Sequence, residues 1–302
     1  MSEQASQATL GRAVLTEPRL RASVFEGRGL KSRLLTGFTW FLAALAALPL
    51  ISVIYMLVAK GGARISWETL TALPPAAFEF GGGIGPAIVG TLVMVLIGSL
   101  ISIPVGILAA IYLAEVAPSS RLAQVARFLA KVLTGFPSIL AGVFVYAVLV
   151  ISMRSYSAIA GGISLAVLML PTVILTAEEA LKQVPQRMKD AAYGMGCTRA
   201  QVIGKVTLPT ATPGIITGVL LAVAGASGES APLLFTALFS SYYISGLEGL
   251  AEPTASLSIL IYNFSGMPYD NQIELAWTAS LVLVLMVLAL NILARVLGRR
   301  KA

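Results

Sequence analysis

Six long apolar runs limit what this chain can fold into. A helix that crosses a bilayer needs about 20 predominantly apolar residues, and each run has a length of this order. Only 12% of the 302 residues are charged, about half the share of a soluble domain. The sequence therefore predicts an all-α integral membrane protein with six transmembrane helices. The predicted spans are Leu34–Ala59, Ile84–Ala114, Gly135–Ser152, Ser157–Ala177, Ala211–Phe239 and Ile273–Leu297.

The basic residues predict the orientation of these spans. Eighteen of the 21 Lys and Arg residues lie before the first span, in the segments that follow spans two and four, or at the C-terminal end of the last span and beyond it. Cytoplasmic segments carry the excess of Lys and Arg, so we expect both termini in the cytoplasm. Residues 1–33 would form a cytoplasmic, partly disordered N-terminal segment. The same pattern accounts for the net charge of +7 without a nucleic-acid partner.

Missing residue types exclude several kinds of chemistry. The chain has no histidine and one cysteine, Cys197, which removes imidazole bases, intrachain disulfides and thiolate metal clusters. We predict no catalytic residue, no metal site and no bound cofactor, which disfavours an intramembrane enzyme. The sequence also lacks the P-loop pattern G-x-x-x-x-G-K-[ST]. If the protein depends on ATP and Mg²⁺, partner subunits would have to use them.

The segment between spans four and five, residues 178–209, is too long for a simple turn. Pro185 suits the first turn of a short helix, Gly196 suits its end, and Thr198 begins a further helix with a capping box. Pro209 is expected to close the segment. These signals predict a compact, exposed cytoplasmic knob whose surface is left bare by two alanines and Gly196. An amphipathic helix lying on the membrane is the alternative.

The fifth span carries signals of a break. A continuous helix over its 30 residues would measure about 45 Å, which exceeds the bilayer core of about 30 Å. Its only charge, Glu229, lies between glycines and a proline, as in the discontinuous helices that line transport pathways. We predict that Ser230 caps a second half-helix with Pro232 in its first turn, and that the N–H groups there favour an anion. Alternatively, Glu229 lies solvated at the outer headgroup level. The predicted pathway residues are Gly228, Glu229, Ser230 and Pro232.

Two of these segments resemble known permeases. The pattern D-A-A-x-x-x-G, followed after nine residues by V-T-L-P, resembles the E-A-A loop of ABC importer permeases, with Asp190 in place of the usual Glu. The run G-E-S-A-P-L-L-F-T-A from Gly228 is similar to the PstA family of phosphate permeases, and the match covers residues 84–297. The resemblance assigns ATPase coupling to Asp190, Ala191, Ala192, Gly196, Leu208 and Pro209.

The resemblance also implies an architecture, a function and partners. It implies the type I ABC importer permease fold and a permease core at residues 84–297. The subunit would move inorganic phosphate across the bacterial inner membrane by alternating access. The implied partners are a second related permease, two cytoplasmic ATPase subunits and an extracytoplasmic phosphate-binding protein.

One residue departs from the family pattern, and several alternatives stay open. The arginine that the family carries four residues before the glutamate is Gly225 here, so phosphate would need a countercharge from elsewhere. The alternatives are an importer for sulfate, molybdate or a phosphonate, and a stand-alone channel or secondary transporter. The outer segment 240–272 is either a docking surface or a solvated loop.

Overall fold

The computed structural model describes residues 27–299, and these residues form helices and connecting loops without a β-strand. The expected disorder of residues 1–26 lies outside the described residues, whereas residues 27–33, which were grouped with them, belong to the first helix. In chain order the α-helices longer than three residues are α1 (Gly27–Met56), α2 (Trp67–Thr71), α3 (Gly85–Ile111), α4 (Arg121–Thr134), α5 (Ser138–Val145), α6 (Ala158–Lys182), α7 (Gln186–Gly194), α8 (Arg199–Val202), α9 (Leu208–Ser227), α10 (Ala231–Thr236), α11 (Leu257–Ser265) and α12 (Asp270–Arg299).

The chain divides into two units between Tyr55 and Met56. The described part of the first unit is helix α1 as far as Tyr55, which is apolar along most of its length and contains Pro49. The second unit holds the remaining helices. Three of them continue without a break into wider π-helical turns: α3 into Tyr112–Val116, α5 into Tyr146–Val150 and α8 into Ile203–Thr207.

Five helical segments of the described chain are long and apolar enough to cross a membrane, and a sixth exists if one bent pair counts as a single span. The bent pair is α4 with the helical segment Ser138–Met153, at 107°. This segment alone spans about 24 Å, because Pro137 precedes it and Arg154 ends it in the left-handed conformation with φ +56°. The five single segments are Lys31–Arg64, Gly85–Val116, Ala158–Lys182, Arg199–Ser227 and Asp270–Ile292.

The helices extend beyond the predicted spans because helical structure continues into polar residues that hydropathy leaves out. Helix α6 runs to Lys182 rather than Ala177, so Glu178 still belongs to it. The segment before the break begins at Arg199, twelve residues earlier than the predicted start of the fifth span.

Helix α6 lies at the centre of the second unit. In its most apolar stretch 56% of the residues are buried, against 28% in the segment Gly85–Val116 that contains α3. The spaced small residues of α3 pack against it: a Cβ at Gly98 would lie 3.1 Å from the Gly162 carbonyl oxygen, and one at Gly106 would lie 2.7 Å from a Val173 methyl carbon. Small residues allow this approach of two helix backbones. One buried cluster joins α3, α6, α10 and α11 through Met94, Leu165, Met169, Leu233 and Ile259.

The segment that follows α1 is tied to the start of α12. Arg64 donates to the Asn271 side-chain oxygen at 2.6 Å and forms an ion pair with Glu274 at 3.2 Å. The Lys60 ammonium lies 5.2 Å from the ring centroid of Trp277. These contacts fix the ends of the two segments to each other.

Candidate functional site

The fifth predicted span breaks at the predicted position. Helix α9 ends at Ser227 and α10 begins at Ala231, so residues 228–230 form the break. Pro232 lies in the first turn of α10, where its fixed φ suits the helix and its missing N–H costs no hydrogen bond.

The prediction that the Ser230 side chain caps α10 is wrong. Its backbone is helical, with φ −107° and ψ −39°, and its hydroxyl accepts no hydrogen bond from the described helix. Its carbonyl oxygen instead accepts the N–H groups of Leu233 and Leu234, both at 3.1 Å. Pro232 has no N–H to offer. The six-residue helix therefore has few free donors at its start, and its geometry gives no support to the predicted anion site.

Two neighbouring helices hold the break in place. The Ser258 hydroxyl of α11 donates to the carbonyl oxygen of Glu229 at 2.8 Å. On the other side, Gly142 of α5 lies so close to α10 that an added Cβ would be 2.5 Å from the Pro232 Cα. A buried backbone carbonyl needs a hydrogen-bond partner, and Ser258 supplies it where helix geometry does not.

A cleft of about 380 Å³ lies beside the break. Gly225 and Glu229 line it together with Thr172 of α6 and Ser138 of α5. The described residues that line the cleft include no Lys or Arg. Glu229 is half-buried. A Cβ added at Gly225 meets no atom within 4 Å, so the cleft has room for a longer side chain there. The cleft thus offers hydroxyl groups and one carboxylate.

The loop between α6 and α9 contains the predicted pair of short helices. Helix α7 ends at Gly194, and Gly196 adopts φ +83°, the left-handed conformation that commonly follows a helix. The capping box is confirmed: the Thr198 hydroxyl accepts the N–H of Gln201 at 3.4 Å, and the Gln201 side chain accepts the N–H of Thr198 at 2.8 Å.

The exposed surface of this knob differs in one residue from the prediction. Asp190 and Ala191 are exposed, but Ala192 is only 2% exposed and packs inward. A Cβ at Gly196 would meet no atom within 4 Å, and the neighbouring Met195 is 78% exposed. The knob therefore presents one bare alanine, a bare glycine and an apolar side chain that a partner can cover.

Pro209 does not close the loop segment as predicted. The chain is helical from Arg199 to Ser227, through the π-helical turn Ile203–Thr207. Proline lacks an N–H and crowds the preceding helical turn, and the wider turn immediately before Pro209 lets the helix continue. Leu208 is half-buried and Pro209 is exposed.

A buried ion pair attaches the knob to the end of α3. The Lys189 ammonium lies 2.5 Å from the Glu115 carboxylate, and their side chains are 11% and 10% exposed. The Arg199 guanidinium donates to the carbonyl oxygens of Glu115 and Val116, the latter at 2.6 Å. These carbonyls end the π-helical turn after α3, where helix geometry leaves acceptors without partners.

A second cluster of charges joins the same end of α3 to α4 and α6. Arg127 of α4 pairs with Glu178 at 2.5 Å and donates to the Leu113 carbonyl at 2.6 Å. Lys182 reaches the same Glu178 carboxylate at 2.6 Å. Both clusters lie at the end of the molecule that carries the knob.

The comparisons with known proteins agree with this arrangement. Residues 102–302 match the family described as "Binding-protein-dependent transport system inner membrane component". The chain belongs to this transport permease family. It is therefore a multi-pass membrane subunit of the transporter class, and not an enzyme in its own right.

Relatives named PstA are similar to this permease over most of its length. "Phosphate transport system permease protein PstA" of Pasteurella multocida is 38% identical over 92% of this chain and 98% of its own. The protein of the same name from Yersinia pestis is 41% identical over 83% and 84%. "Probable phosphate transport system permease protein PstA" of Methanocaldococcus jannaschii is 39% identical over 87% and 92%. The permease thus belongs to the PstA branch of the family.

Solved structures share the fold of this permease. A chain of the MetNI methionine ABC transporter in an inward-facing conformation aligns with TM-score 0.57 and 21% identity, covering 73% of this chain and 94% of its own. A chain of a bacterial ABC transporter involved in import of the polysaccharide alginate gives 0.58 and 18%, covering 90% and 95%. These similarities confirm the predicted type I ABC importer permease fold.

Sequence reasoning missed the residues that connect the permease's two sites to their surroundings. Glu115 and Lys189 lie 74 residues apart in the chain, and Ser258 lies 29 residues from the glutamate that it binds. None belongs to a recognisable motif. The one available signal is that Glu115 is a charge at the end of a long apolar run, where an ionised group needs a partner.

Proposed function

We propose that this chain is the permease subunit of an ATP-driven importer that moves inorganic phosphate across the bacterial inner membrane by alternating access. The observation that carries the proposal is similarity to proteins named as phosphate permeases over more than 80% of both chains. Similarity of this extent covers both the knob and the broken span. A likeness confined to the fold would support import in general but no particular substrate.

The cleft beside the break is the proposed position of the substrate path. Glu229, Ser138 and Thr172 supply polar groups within otherwise apolar helices, and ionisable groups at such positions mark transport pathways. A carboxylate repels a phosphate anion, so Glu229 is not its main ligand. We assign Glu229 to the pathway as a partner for a basic residue of the second permease.

The missing countercharge supports a heterodimer. The described residues that line the cleft include no cation, and a phosphate dianion in a region of low dielectric needs one. The cleft at Gly225 is open, which leaves space for a basic side chain from a second, related permease. This is the expected position of substrate contact between the two subunits.

The exposed knob supports docking of ATPase subunits. The sequence has no P-loop, so ATP and Mg²⁺ belong to two cytoplasmic ATPase subunits. Asp190, Ala191, Ala192, Gly196, Leu208 and Pro209 would form or support the contact surface. The excess of Lys and Arg on this side supports a cytoplasmic position for the knob and both termini. An extracytoplasmic phosphate-binding protein would deliver the substrate from the other side.

Uptake and co-purification together test this function. The tagged chain is expressed with its candidate partners in cells that lack their own phosphate importers. Uptake of radiolabelled phosphate is measured alone and with an excess of unlabelled phosphate, sulfate, molybdate or a phosphonate. We expect ATP-dependent uptake that only unlabelled phosphate abolishes, and co-purification of ATPase subunits. Competition by another oxyanion would favour an importer for that oxyanion. Uptake without an ATPase subunit would favour a channel or secondary transporter.

A further inference from the structure

The inner face of helix α7 consists of two buried residues in the described structure. One is Ala192 and the other is Lys189. Burial of a single methyl group gives little hydrophobic stabilisation, so the ion pair of Lys189 with Glu115 is the specific contact that positions this helix. The pair joins α7 to the π-helical turn Tyr112–Val116 at the end of α3.

A buried ion pair at this place is better suited to fixing a position than to stabilising the fold. Desolvation of two charges offsets most of their attraction, and an apolar pair of similar size often stabilises a protein as well. Removal of one partner, however, leaves the other charge buried and unpaired. The pair therefore holds α7 in a defined position against the end of α3.

The two elements joined by the pair both lead to the cleft. From α7 the chain passes through α8 into α9, which carries Gly225 on the cleft wall. From Glu115 the path follows α3, whose small residues lie against α6. Helix α6 in turn supplies Thr172 to the opposite wall.

We infer that Glu115 and Lys189 are a positioning pair that transmits movement of the ATPase-docking helix to α3, so that both walls of the cleft move together. This inference rests on the proposed function. Without the pair, docking and ATP hydrolysis continue, but α3 no longer follows the docking helix, although α9 still contacts α6 directly. Hydrolysis then becomes uncoupled from transport.

The test uses complexes of the full chain with its partners in proteoliposomes, and measures phosphate uptake and ATP hydrolysis in the same samples. Glu115→Gln and Lys189→Met remove one charge each and keep the size of the side chain. We expect each to lower the phosphate moved per ATP by about tenfold, which is within the usual range of coupling between sites. The charge-reversed double variant E115K/K189E should recover most of the ratio, as a direct pair requires.

Lys131→Met is the matched control. Lys131 is an exposed cation on α4 that makes no ion pair in the described structure, and its loss should leave the ratio of phosphate moved per ATP unchanged.

Wild-type ratios in both single variants would overturn the inference, and so would a double variant no better than either single one. Loss of bound ATPase subunits in Glu115→Gln would also overturn it, since the pair would then only support the fold of the knob. Absence of ATP-dependent phosphate uptake by the wild-type chain would instead contradict the proposed function.

Discussion

Gly142 of α5 and Pro232 of α10 are in backbone contact, with no room for a side chain at position 142. A Cβ there would lie 2.5 Å from the Pro232 Cα and 2.7 Å from its carbonyl oxygen. We expect Gly142→Ala to displace α10 and to lower the free energy of unfolding by about 1–3 kcal/mol, the usual cost of overpacking. The measurement is the thermal unfolding of the purified chain in detergent.

Gly225→Ala is the control for this variant. It makes the same chemical change on α9, where an added Cβ meets nothing within 4 Å. Replacing glycine by alanine inside a helix is favourable by up to about 1 kcal/mol, so this variant should unfold at the wild-type temperature or above it. Equal effects of the two substitutions would show that the contact with Pro232 is not tight.

The predicted orientation can be tested by cysteine labelling in intact cells. In a Cys197→Ser background, Ala5→Cys, Asp190→Cys and Arg300→Cys should be protected from an impermeant maleimide added outside. Glu248→Cys, at an exposed position of the opposite loop, should react. Labelling of position 190 from outside would reverse the topology and remove the ATPase-docking role of the knob.

Bulk at Gly196 should block docking of the ATPase subunits. The surface there is open, and a partner that fits against glycine has no space for a larger side chain. We expect Gly196→Leu to leave insertion in the membrane intact and to abolish both ATPase co-purification and phosphate uptake.

Backbone strain must be separated from bulk in this experiment. Gly196 has φ +83°, a conformation that costs most residues about 1–2 kcal/mol but that asparagine tolerates better. Gly196→Asn therefore adds bulk with less strain and should also lose the ATPase subunits. Normal transport by Gly196→Asn would attribute the leucine effect to the backbone alone.

Loss of the charge at Glu229 should reduce transport and leave the complex assembled. Glu229→Gln keeps the size of the side chain, and the backbone bond from Ser258 does not depend on the carboxylate. We expect phosphate uptake to fall at least about tenfold, since an intramembrane charge of this kind is functional by default. Glu248→Gln on the exposed loop is the control and should transport normally. Wild-type uptake by Glu229→Gln in assembled complexes would assign the carboxylate to a solvated, idle position.

Sequence patterns predicted the features whose causes are local. Apolar length located the helices, and Thr198 with Gln201 and the glycine at position 196 set the ends of the short helices in the knob. Glycines and a proline around Glu229 located the break. In each case neighbouring residues determine the conformation, so the signal can be read along the chain.

Features that depend on tertiary contact were not predictable in this way. The inward packing of Ala192 depends on which side of α7 faces the bundle. The helical backbone of Ser230 depends on how α10 is held by α5 and α11, and the pairing of Lys189 with Glu115 joins residues that are 74 positions apart. A span predicted from hydropathy also ends where polar residues begin. Helix α6 nevertheless continues to Lys182, and the helical segment that ends at Ser227 already begins at Arg199.

The continuous helix Arg199–Ser227 gives the proposed transporter a lever. Its 29 residues measure about 44 Å, with the knob at one end and the cleft at the other. Near its midpoint it makes its closest contacts with α6: a Cβ at Gly214 would lie 2.8 Å from the Ala180 Cβ, and one at Gly218 would lie 2.1 Å from the Thr176 hydroxyl oxygen. Such a contact acts as a fulcrum. A tilt of about 10° around this contact would move each end of a helix of this length by about 4 Å, in opposite directions. A displacement of the knob would therefore reach the cleft with the opposite direction and almost the same size.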